Sequence, residues 1–78
     1  MLGEKAWFTS RPGMLRVNVD NLGKSYEAVL RDLQGRVLLR RDGNSGVPLE
    51  ISAPSATQSM YLIEVHSGSD SYSKVMLF

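Results

Sequence analysis

Ser25-Tyr26-Glu27-Ala28-Val29-Leu30-Arg31-Asp32 admits two readings, and the choice between them decides the fold. Taken alone, Glu27 to Leu33 would serve as two turns of helix. Taken as a strand, it places Tyr26, Ala28 and Leu30 on one face and Glu27, Val29 and Arg31 on the other. Gly23 before it and Gly35 after it leave too little room for a typical helix. The neighbouring segments share the two-residue period. Leu15, Val17 and Val19 alternate with Arg16, Asn18 and Asp20; Val47, Leu49 and Ile51 repeat the pattern. Tyr61, Ile63 and Val65 repeat it again, with Leu62, Glu64 and His66 pointing the other way, and Val75 and Leu77 alternate with Lys74 and Met76. Val37-Leu38-Leu39 is apolar on both faces, which predicts a strand buried on both sides or lying against another sheet. Ala6 to Ser10 supplies a first strand, ended by Pro12-Gly13.

Turn chemistry separates these runs. Asp20-Asn21-Leu22-Gly23 offers Asn and Gly for positive φ, and Asp32-Leu33-Gln34-Gly35 carries the type I pattern of Asp first and Gly last. Asp42-Gly43-Asn44-Ser45-Gly46 is the strongest hairpin signal, and Ser67 to Ser71 is a comparable loop. Ala53 to Gln58, where Pro54 discourages ladder pairing, is long enough to cross between sheets. The expected architecture is all-β: a compact seven-stranded antiparallel Ig-like β-sandwich. One domain covers residues 1–78, excised from a larger protein, with residues 1–5 expected to be linker or added residues.

Composition narrows the chemistry. Nine Lys+Arg against eight Asp+Glu leave a formal charge of +1, without the basic excess of a nucleic-acid binder. There is no cysteine, so disulfides, thiolate catalysis and Cys-ligated metals are excluded, and the single histidine excludes a multi-histidine site. No apolar run is long enough for a transmembrane segment, and residues 1–5 lack the apolar stretch of a signal peptide. His66, Ser67, Ser69 and Asp70 superficially suggest a hydrolytic triad, but near neighbours on one strand end cannot converge as nucleophile, base and orienter. Asp42 to Gly46 lacks the alternating ligands and closing Glu of a calcium loop. No strand–Gly-rich–helix passage exists to hold a phosphate. The chain is expected to be no enzyme and to need no metal or cofactor.

Six of the nine cations are arginines, and Arg31, Arg36, Arg40 and Arg41 flank one predicted strand and its turn. If they share a face they form a guanidinium patch suited to phosphate or carboxylate. Otherwise they are a solvated face balanced by Glu27, Asp32 and Asp42. The aromatic residues are scattered singly, as core or hairpin partners, and do not suggest a stacking platform.

Three passages, in this order, resemble the C-terminal sorting domain of the type IX secretion system of Bacteroidetes-type bacteria. Ala28 to Val37 is similar to the family's strand–Asp-x-x-Gly-Arg/Lys–strand hairpin, through Asp32, Gly35 and Arg36. Met60-Tyr61-Leu62-Ile63-Glu64-Val65 is similar to its Gly-x-Tyr-x-x-x-Val strand, through Tyr61. Ser73-Lys74-Val75-Met76 resembles its terminal strand, through Lys74 and Val75. The resemblance covers about four-fifths of the chain, from the Leu15–Val19 strand to the end.

It implies an Ig-like sandwich used as an address and recognised folded. The parent would be exported to the periplasm, then carried by the type IX translocon across the outer membrane to the cell surface or medium. In many family members a surface sortase then joins the cargo to anionic lipopolysaccharide. Ser10-Arg11-Pro12-Gly13 departs from the family's Pro-Asn-Pro, Ser59 stands for its Gly, and Lys74 lacks a second basic residue near the terminus. These departures bear on sortase processing and leave room for a domain retained at the surface. Recognition is expected on the final hairpin, Tyr61 to Phe78, partly by strand addition beside Lys74. An open edge also allows a weak dimer. The alternative function is an anionic polysaccharide or lipopolysaccharide-binding β-sandwich using the arginine cluster.

Overall fold

In the computed structural model, which describes residues 2–78, the Ser25–Arg31 segment is a strand. A 3-10 turn (Leu2–Glu4) precedes seven strands: β1 (Ala6–Arg11), β2 (Met14–Val19), β3 (Ser25–Arg31), β4 (Val37–Asn44), β5 (Leu49–Ser52), β6 (Met60–Ser67) and β7 (Asp70–Leu77). All pairs are antiparallel. One sheet has the order β1-β2-β5 and the other β4-β3-β6-β7. The protein is a seven-stranded antiparallel Ig-like β-sandwich.

The period of two builds the core. Leu15, Val17, Val19 and Ile51 line the inner face of the three-stranded sheet; Tyr26, Ala28, Leu30, Tyr61, Ile63 and Val65 line that of the four-stranded sheet. Leu2 and Phe78 join this cluster, and the Phe78 N–H donates to the Ser59 carbonyl at 3.1 Å. With Leu2 buried and the Asp20 N–H bonded to the Lys5 carbonyl at 2.7 Å, residues 2–5 are built into the domain, contrary to the linker reading. Met1 lies outside the described residues.

Other expectations are corrected by the topology. Asp42 to Gly46 makes no hairpin: β4 and β5 belong to different sheets, and the chain crosses between them. The crossing is tied by Gly46 N–H to the Val19 carbonyl and Ser45 N–H to the Lys24 carbonyl. Gly43 lies inside β4, opposite Tyr26, because a Cβ there would overlap the Tyr26 ring. Val37 and Leu38 are exposed, not buried on both sides, because β4 is an edge strand with no layer over its outer face. Val47 precedes β5 and is exposed.

In β7 the register decides which of the two alternating sets faces the core. Pairing with β6 sets Lys74 opposite core residue Ile63 and Met76 opposite Tyr61, so Val75 and Leu77 face outward. Positive φ in the β2–β3 connection falls on Leu22 and Gly23, not on Asn21. Asn21 is instead buried, donating Nδ2 to Ser67 Oγ at 3.1 Å and accepting from Lys5 Nζ at 3.3 Å. The satisfied amide joins the β2–β3 crossing to the end of β6, as a buried polar group must be.

Gly43→Ala is expected to cost about 2 kcal/mol through overpacking against Tyr26. For a domain of this size that lowers the melting midpoint by about 10 °C, measurable by circular dichroism.

Candidate functional site

Register places most of the motif residues at one end of the four-stranded sheet. On its outer face Val37, Arg31, Leu62 and Val75 form a row across all four strands, and Met60 and Leu77 form the next row outward. Met60, Val75 and Leu77 are each about half exposed, and Leu62 is half-buried. These four side chains sit in two facing pairs on β6 and β7. The outer face of a sandwich sheet is normally polar, so the patch is exposed apolar surface that the fold does not use.

Beside it stands the Asp32–Arg36 turn. The Asp32 carbonyl accepts from the Gly35 N–H at 3.0 Å, and Gly35 takes φ +91°, which a side chain would strain. Asp32 Oδ1 accepts the N–H groups of Gln34 and Arg36 at 2.9 and 3.0 Å, while Arg36 Nε donates to Oδ2 at 2.7 Å. Slight desolvation works to raise the Asp32 pKa, but these N–H donors and the Arg36 guanidinium hold it below the usual carboxylate range. Asp32 therefore stabilises the fold above its unfolded pKa, and that contribution disappears as pH falls through the lowered folded value. Acidification from about pH 6 to about pH 2.5 is expected to lower the melting midpoint, and less so in Asp32→Asn, which cannot titrate.

The four cluster arginines do not form an open patch. Arg31 Nε donates to Glu64 Oε1 at 2.6 Å and Arg31 also donates to the Gly35 carbonyl at 2.9 Å. Arg36 is held by Asp32, and Arg40 by Glu27 at 3.2 Å. Arg41 lies opposite Ala28, on the core side of the β4 edge, and Lys74 holds the equivalent place on the β7 edge. Inward-side cations on both edges of this sheet oppose further strand pairing, so they work against strand addition and an edge-to-edge dimer. Tyr61 is buried, its ring 4.8 Å from that of Phe78. Among the motif residues, then, Asp32, Gly35, Arg36 and Val75 gather at one surface, while Tyr61 and Lys74 belong to the opposite side of the sheet.

Met60, Leu62 and Leu77 were missed as surface residues. The available signal was that Met60-Tyr61-Leu62-Ile63 and Val75-Met76-Leu77-Phe78 are apolar at every position, where a half-solvated strand alternates. His66 lies on the polar part of the same outer face, exposed, with Nε2 3.9 Å from Glu64 Oε1. Among the described residues no group of three His, Cys, Asp or Glu side chains could hold a metal ion, and no helix is long and apolar enough to cross a membrane. No family model matches the chain, nor does any curated protein or solved structure.

Proposed function

We propose that this domain is a non-catalytic sorting signal of the type IX secretion system. It carries its parent through the periplasm and across the outer membrane to the cell surface or medium. The observation that supports this reading most is the gathering of the Asp32–Arg36 turn and the apolar Met60, Leu62, Val75 and Leu77 side chains at one end of the four-stranded sheet. An address needs a stable, displayed surface and no reacting group. The apolar quartet supplies area to bury, and the Arg31–Glu64 pair and the charged turn border it, the arrangement of a protein-recognition patch. The partner is the outer-membrane translocon, with the surface sortase acting later on the delivered parent.

The test is a fusion of residues 1–78 to the C-terminus of a periplasmic reporter in a bacterium with this secretion system. Surface or extracellular reporter is expected, and its retention in the periplasm in a translocon-deficient strain. Equal periplasmic retention in both strains would overturn the proposal.

A further inference from the structure

The three-stranded sheet carries a second surface, on the opposite side of the molecule from the apolar quartet. Its outward positions are Trp7, Thr9 and Arg11 on β1, Met14, Arg16 and Asn18 on β2, and Glu50 and Ser52 on β5. Trp7, the single tryptophan, is 51% exposed although it lies within a paired strand. It stands in register with Asn18 and borders a depression of about 260 Å³ that Asp20, Val47 and Pro48 also line.

Next to this lies a depression of about 170 Å³ between Thr9, Arg11, Arg16 and Glu50. One oxygen of Glu50, Oε2, takes both guanidinium groups, Arg16 at 3.2 Å and Arg11 at 3.8 Å. Two cations on one carboxylate leave a surplus positive charge, and most of the ten guanidinium N–H donors have no partner among the described residues. Arg16 and Trp7 are diagonal neighbours on adjacent strands, and Arg11 is about 13 Å from Trp7 along β1.

We propose that this face binds an acidic oligosaccharide. A sugar ring lies with its C–H face on the Trp7 indole, its hydroxyls reaching Asn18 and Asp20. The carboxylate or phosphate of a neighbouring residue of the glycan meets Arg16 and Arg11. The chemistry follows from the side chains. Indole offers a flat, amphipathic surface, Asn and Asp pair with hydroxyls, and guanidinium forks match carboxylate and phosphate. A protein partner would call for a larger apolar centre than one tryptophan and a valine. The inference does not rest on the sorting reading, which uses the other sheet. It places glycan binding away from Arg31, Arg36 and Arg40, whose charges are already met by Glu64, Asp32 and Glu27.

Trp7 is its own reporter. Titrating the 78-residue chain with tetragalacturonate and with a phosphorylated mannan fragment is expected to change the tryptophan emission saturably with at least one of them, at about 0.1–1 mM. The two probes distinguish carboxylate from phosphate, and neutral maltotetraose is expected to bind about tenfold more weakly or not at all. Arg11→Gln combined with Arg16→Gln should lose the preference for the acidic probe, while Arg36→Gln with Arg40→Gln keeps it. Trp7→Ala, followed by calorimetry, should lose binding with an unchanged circular dichroism spectrum. No saturable response to either acidic probe, equal response to maltotetraose, or binding indifferent to Arg11 and Arg16 would each overturn the proposal. So would a concentration-dependent dimer abolished by Trp7→Ala, which would make this face a contact between copies.

Discussion

Tyr61→Ala is expected to leave the domain largely unfolded at room temperature. The ring is 4% exposed, lies against Phe78 and belongs to the core cluster formed by both sheets. Truncating a buried aromatic costs about 3–5 kcal/mol, because the lost transfer energy is joined by the cavity left behind. A 78-residue chain with no cysteine to form a disulfide rarely gains more than about 3–5 kcal/mol from its core, so one such loss consumes it. Phe78 would also lose the partner that holds the end of the chain in the core. Urea titration followed by circular dichroism measures the effect.

Tyr61→Phe separates the ring from the hydroxyl. Tyr61 Oη is buried with no hydrogen-bond partner among the described residues, so its removal is expected to leave stability unchanged or raise it by up to about 1 kcal/mol. A Tyr61→Phe domain that still directs export would identify this motif tyrosine as a packing residue. Loss of export with the fold intact would give the hydroxyl a direct role in recognition.

Val75→Asp together with Leu77→Asp is expected to reduce surface delivery of the fused reporter by about tenfold or more, equivalent to about 1.4 kcal/mol of lost docking energy. Both side chains are about half exposed on the outer face, opposite Leu62 and Met60, so carboxylates at these positions remain in water. The melting midpoint should fall by only a few degrees, as for surface substitutions generally. Ser69→Asp with Ser71→Asp adds the same charge at the polar β6–β7 turn, away from the Arg31–Glu64 pair, and should leave delivery intact. If both double variants deliver the reporter normally, the apolar quartet is not the recognition surface. If both fail alike, added negative charge is the cause and the quartet is equally excluded.

Strand positions were legible from the chain itself because the two-residue period is a local property. Leu15, Val17 and Val19 must share a face wherever they are placed, and so must Tyr61, Ile63 and Val65. The choice of strand over helix at Ser25–Arg31 also rested on nearby residues, through the glycines on either side. The Asp32–Gly35 turn was readable for the same reason, since its hydrogen bonds close within five residues.

Partner choice was not local. Asp42 to Gly46 has hairpin composition, yet β4 pairs only with β3 and β5 only with β2. Gly43 reads as a turn residue until Tyr26 is found across from it. In the apolar Val75-Met76-Leu77 end of β7, either face satisfies a hydrophobic count, and only the register with β6 settled that Val75 and Leu77 face outward. Charge behaved likewise: proximity in sequence grouped Arg31, Arg36, Arg40 and Arg41, but pairing assigned three of them to separate carboxylates. Arg11 and Arg16, five residues apart, met over Glu50 from a third strand, where no spacing rule pointed. Period and turn chemistry determined the elements, because those energies act between near neighbours. The surfaces were decided by long-range registry, because a one-residue shift in pairing exchanges the faces of a strand.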